Sequence, residues 1–413
     1  MKNSMWFSAV AVAALLTTAA SASAVRANTF KLQPLLSLST QGDLINPDGT
    51  VNKTSPYLAG VGGTSAYTGV GTIQIKSQKS GAGAFYCTGS MISPTLVLTA
   101  AHCVNNPEIG HINQMQFAVP NGRPIFGASP APNTGPLAVG VGGAFTTLPG
   151  WNFATLGGDL AVVKLDKPIT GVETYGIYRG DPLGQQTTIV GTGTAGWGSV
   201  GADSETGFAG GLFDLRKRVG DNIFELYATP FFEAIASHFG INEIPTGPSN
   251  GVVMYDFDSG LAANDVFGQL CSFADPALKN LCVTQTGLPN EVGAAPGDSG
   301  GPLFVDGKIA GITSWGESGA LLSYDGTYIY CGGPHDIDVS ANVDNGSCTD
   351  SSFGEFNGAT NVSAYQSWVD AVLAGKIGFE RVPEPASLAL VLGGLAGLVR
   401  RRRSQAGSAS KAG

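Results

Sequence analysis

The stretch TLVLTAAHCV, residues 95–104, sets a short apolar run against a histidine and a cysteine. Residues 96–100 are β-preferring and too few for a stable helix, so they read as a strand that delivers His102 and Cys103 to its end. His102 alone is open to three readings: a packed core residue, a metal ligand or a catalytic base. A neutral imidazole can take a hydroxyl proton near neutral pH. The third reading therefore requires that the chain also supply a nucleophile, a buried acid and an oxyanion site.

Working outward, runs of the same kind recur at residues 71–77, 115–120, 160–165 and 186–198, and again at 302–316, where Asp306-Gly307 marks a hairpin turn. Glycine, proline and asparagine clusters separate them. The chain has 413 residues, 60 of them glycine, and only 13% are charged, which favours an all-β, loop-rich architecture over a helical bundle. Two stretches look helical: residues 221–240, broken near Pro230, and 361–375, with Trp368, Val369, Val372 and Leu373 on one face. Residues 325–355 read as a polar loop, and no internal repeat is evident. The net charge of −9 argues against a nucleic-acid partner, which would need clustered positive charge.

Both ends read as targeting segments. Residues 1–24 carry Lys2, an apolar stretch and the small-residue site Ala22-Ser23-Ala24, as a secretory signal peptide does. Residues 25–64 are polar and read as a pro-segment or N-terminal lead-in. Residues 382–403, VPEPASLALVLGGLAGLVRRRR, hold a Pro-Glu-Pro motif, a short apolar run and four arginines. This order resembles the PEP-CTERM sorting tail of Gram-negative bacteria. The resemblance implies processing near Pro383-Glu384-Pro385 by an exosortase-type enzyme, transient membrane association, and delivery to the cell surface or release. A plain C-terminal membrane anchor is the alternative. Export permits disulfides, and proximity pairs the six cysteines as Cys87–Cys103, Cys271–Cys282 and Cys331–Cys348.

The nucleophile comes from GAAPGDSGGP, residues 293–302. An acyl-transfer serine has to stand on a tight turn whose backbone N–H groups converge on one point, and glycines permit such a turn. The acid comes from GGDLAVVKLDKPI, residues 157–169: Asp159 enters an apolar strand, whereas Asp166 leaves it beside Lys167 and Pro168 and reads as a solvated turn residue.

Taken in the order His, Asp, Ser, the motifs LTAAHC, DLAVVKL and GDSGGP resemble the chymotrypsin-like (trypsin-fold) serine proteases, over about residues 65–375. The resemblance implies two six-stranded antiparallel β-barrels with a C-terminal helix, in a protease domain at 65–378 interrupted by a partly helical insertion at about 200–285. It implies a triad of His102, Asp159 and Ser299, an oxyanion hole at the N–H groups of Gly297 and Ser299, and the family's Cys87–Cys103 disulfide. SWG, Ser314-Trp315-Gly316, matches the strand that binds substrate backbone, and Gly293 falls at the base of the specificity pocket. No cofactor is implied; the partners are protein or peptide substrates.

Asp298 is expected to pair with a new chain terminus made by activation cleavage. Val61 stands 41 residues before His102, but Gly60 precedes it instead of Lys or Arg. Cleavage by another protease, or a different internal partner for Asp298, are the alternatives. Gly293 and Gly316 predict an uncharged, apolar or aromatic side chain at P1, with nearby Glu291 as the argument for a basic one. Ala295 stands where the family commonly has a cysteine. The acidic loop at 335–350, with Asp336, Asp338, Asp344 and Asp350, lacks EF-hand spacing and reads as a solvated, disulfide-closed loop, so no metal is assigned. His111 and His238 have no motif partners. The competing class is a catalytically silent binding or extracellular-matrix protein on a protease scaffold.

Overall fold

Runs of apolar and β-branched residues build two curled antiparallel sheets of seven strands each. The computed structural model describes residues 66–79, 84–119, 138–153, 155–199, 201–202, 216–240, 245–323, 337–338 and 348–382, with short strands at Ser23–Arg26, Leu36–Leu38 and Tyr328–Cys331. The signal segment before Ser23, most of the lead-in and the tail from residue 383 lie outside the described residues.

The first sheet runs Glu380–Arg381, Ala138–Thr147, Ile112–Val119, Val70–Ser77, Phe85–Ser93, Leu96–Thr99, Ala161–Leu165. Ala138–Thr147 also pairs with Ala161–Leu165, so six long strands close on themselves. The second runs Arg218–Ile223, Gln186–Gly191, Pro302–Val305, Lys308–Ser318, Glu355–Asn361, Val252–Phe257, Leu226–Tyr227. The seventh member of each is a two-residue edge strand, which accounts for the difference from the six expected. This is the trypsin-like double-β-barrel architecture.

The Asp306-Gly307 turn has φ of 50° and 70°, the left-handed pair of a two-residue hairpin. The region 200–285 is woven into the second sheet through three strands. Its helix, Ala228–Phe239, is not broken at Pro230: the proline lies in the first turn, where its missing N–H has no intrahelical acceptor. Phe231 and Phe232 of this helix stack edge-on against Phe356 and Trp315. The C-terminal helix Gln366–Leu373 buries Trp368, Val369 and Val372, whereas Leu373 faces solvent. Among the described residues no helix is long and apolar enough to cross a membrane.

Candidate active site

Two elements of the first sheet and one turn of the second meet at one place. The strand Leu96–Thr99 runs into a single 3-10 turn, Ala101–Cys103, which places His102; Cys103 is bonded to Cys87 on the neighbouring strand. Asp159 precedes the strand Ala161–Leu165, and only 2% of it is exposed. Ser299 stands in the turn between Gly293–Ala294 and Pro302–Val305. That turn needs glycine: Gly297 and Gly300 have φ of 100° and 77°, and a Cβ on Gly300 would lie 1.9 Å from the Thr99 hydroxyl. Thr88 braces it from the first sheet, donating from its N–H to the Ser299 carbonyl at 2.8 Å and from its hydroxyl to the Gly297 carbonyl at 3.0 Å.

The three side chains form one line. His102 Nδ1 lies 2.6 Å from Asp159 Oδ2, and His102 Nε2 lies 2.6 Å from Ser299 Oγ. The His102 backbone N–H donates to Asp159 Oδ1 at 2.8 Å, and the Ser314 hydroxyl donates to Oδ2 at 2.7 Å. Burial alone would raise the Asp159 pKa, but the His102 imidazole and these hydrogen bonds outweigh it and hold the carboxyl below its ordinary range. An ionised Asp159 fixes the proton on Nδ1 and leaves Nε2 as acceptor for the Ser299 hydroxyl. Neither the Gly297 nor the Ser299 backbone N–H has an acceptor among the described residues.

The remaining expected residues fall around this line. Asp298 is buried, and in this uncleaved chain it accepts from the N–H groups of Gly193 and Ala295, each at 2.8 Å. Burial pushes its pKa well up, while the Gly193 N–H and the Arg218 charge pull it back. Trp315 is buried, and Gly316 lies opposite Asn357 in the strand register. A Cβ on Gly293 would touch the Phe257 ring at 3.2 Å. Glu291 is buried and occupied by the N–H groups of Asp258 and Leu288, so it does not present a carboxylate to a ligand beside Gly293. Asp166 is exposed, and His238 pairs with Asp275 at 2.8 Å. Cys271 bonds Cys282, and Cys348 is disulfide-bonded to a side chain outside the described residues, where the Cys331 side chain also lies.

Sequence reasoning missed three contributors. Ser314 was expected only for its backbone, yet its hydroxyl serves Asp159; the SWG motif was the available signal. The Asn357 amide oxygen takes the Ala294 N–H at 3.0 Å, and Phe257 walls the position of Gly293, with no motif to mark either.

The sequence pattern of the trypsin family matches residues 60–207 and 273–332, half of the chain. The chain belongs to the trypsin family of serine proteases. Its trypsin-family relatives include Trypsin alpha-4 of Lucilia cuprina, 25% identical over 68% of this chain and 86% of that protein. Trypsin of Sarcophaga bullata is 27% identical over 59% and 73%, and Brachyurin of Leptuca pugilator is 26% identical over 57% and 77%. The trypsin match begins at Gly60 and skips residues 208–272, which carry the helix Ala228–Phe239.

Proposed function

We propose that this trypsin-family chain is an exported serine endopeptidase that cleaves peptide bonds through an acyl-enzyme. The observation that carries the reading is the unbroken hydrogen-bonded line from Asp159 through His102 to Ser299. Ser299 Oγ attacks the scissile carbonyl carbon while His102 Nε2 takes its proton; the tetrahedral oxyanion is held by the N–H groups of Gly297 and Ser299. Collapse expels the amine, protonated by His102, and leaves an ester on Ser299. Water, deprotonated by the same imidazole, then releases the acid. Asp159 holds the imidazole in its tautomer and stabilises the imidazolium.

The stretch Ser314–Gly316 of the strand Lys308–Ser318, past its pairing with Pro302–Val305, is the side for substrate backbone. Phe257, Gly293 and the neutral amide of Asn357 support an uncharged, apolar P1 residue, and the occupied Glu291 removes the argument for a basic one. Matched peptides with Phe, Leu, Ala or Arg at P1 test this: the highest kcat/KM is expected for Phe or Leu, and fastest turnover of Arg would refute it.

For the chain as a whole the reading is a signal peptide at 1–24, a pro-segment or lead-in at 25–64, a protease domain at 65–378, and a PEP-CTERM-type tail at 382–403 processed by an exosortase-type enzyme. Protein would then reach the surface or exterior of a Gram-negative cell. An intact mass on exported protein consistent with loss of both end segments is expected; retention of residue 1 or of the four terminal arginines would count against it.

A further inference from the structure

The strand Val252–Phe257 and the residue after it place Asp256 and Asp258 on the side opposite Phe257, and both are buried, 1% and 4% exposed. Asp265, 2% exposed, joins them, so that one carboxylate oxygen from each of the three lies within 4.8 Å of the others. Glu225, 7% exposed, closes the group, its Oε2 accepting the Asp256 N–H at 3.4 Å. None of these four forms an ion pair among the described residues. Asp256 accepts from the Phe267 N–H and Asp265 from the Gly268 N–H. By contrast Asp258 Oδ1 and Glu225 Oε1 are enclosed with no hydrogen-bond partner among the described residues.

Enclosed carboxylate oxygens without donors are costly unless a cation or a proton meets them. The donor set is all hard oxygen, with neither histidine nor thiolate. Three oxygens within 4.8 Å of one another are close enough for one cation with metal–oxygen distances of about 2.4 Å to reach all three, and an all-carboxylate set suits calcium. We propose that Asp256, Asp258 and Asp265, with Glu225 beside them, form a calcium-binding site on the back of the strand whose front residue, Phe257, packs beside Gly293.

Terbium luminescence and thermal melting of the full chain, first stripped with EDTA and then titrated with calcium, test this without reference to protease activity. Expected are sensitised terbium emission that calcium displaces, and a rise in Tm of about 5–10 °C at a hundredfold excess over Kd. Asp258→Asn is expected to fold, since it removes one enclosed charge, to melt at or above the wild-type temperature in EDTA, and to bind one ion fewer per chain. Glu355→Gln is the control, because Glu355 lies with Asp338 and Asp350 in a separate acidic group; it is expected to keep this site. A wild-type chain indifferent to calcium, or an Asp258→Asn chain that keeps the full wild-type stoichiometry and Tm rise, would overturn the proposal.

Discussion

Asp159 sets the behaviour of the line because it is both enclosed and fully engaged. Its folded-state pKa is below the ordinary 3.8, so its stabilising contribution is complete above that value and is lost as pH falls through the lower folded one. The stability difference between wild type and Asp159→Asn, measured by urea unfolding, is therefore expected to shrink steadily below pH 4. The same substitution should lower kcat about 10⁴-fold by releasing the imidazole to the wrong tautomer. Ser314→Ala removes one of the hydrogen bonds on Asp159 and should cost about 1 kcal/mol of transition-state stabilisation, roughly fivefold in kcat/KM. At this scale the meeting of Asp159, His102 and Ser299 was legible because each lies in a short motif that fixes its own backbone. Ser314 and Asn357 act on partners 155 and 63 residues away, and no local pattern announces a contact of that separation.

Among the elements, the Ser299 turn is held to the first sheet by Thr88, which donates to the Ser299 and Gly297 carbonyls. Within the first sheet the Cys87–Cys103 bridge closes 16 residues, and replacing both cysteines by serine should cost about 3 kcal/mol in urea unfolding. Lys217 ties the sheets at another point, its ammonium donating to the Tyr67 carbonyl at 2.6 Å. Burial lowers its pKa from 10.5 to about 8, so between those values the unfolded chain holds more protons and stability gains with rising pH. Lys217→Met should abolish that gain between pH 8 and 10 in unfolding titrations; an unchanged slope would count against it. The runs at 71–77 and 160–165 were legible as strands because both are dense in β-branched residues. Ala138–Thr147 was hidden by its glycines. Glu355–Asn361 was hidden by polarity: it falls between the polar loop read to 355 and the helix read from 361, yet all seven residues are buried. Asn357 and Asn361 are satisfied there by backbone groups, a solution only the assembled barrel supplies.

At the level of the whole molecule, neither sheet holds a complete site. His102 and Asp159 come from the first, Ser299 and Ser314 from the second, so any chemistry depends on how the two barrels are joined. The two-barrel arrangement was readable from motif order, while the weaving of residues 200–285 into the second sheet was not, because its strands are short and separated by a helix. The central claim is that this joining produces a reactive serine. Labelling exported protein with a serine-reactive phosphonate tests it most directly. One adduct per chain on Ser299 is predicted, absent in Ser299→Ala and slowed at least about a thousandfold in His102→Ala. Folded wild-type protein that takes no label, or Ser299→Ala labelled as fast as wild type, would contradict the account and leave a silent scaffold in its place.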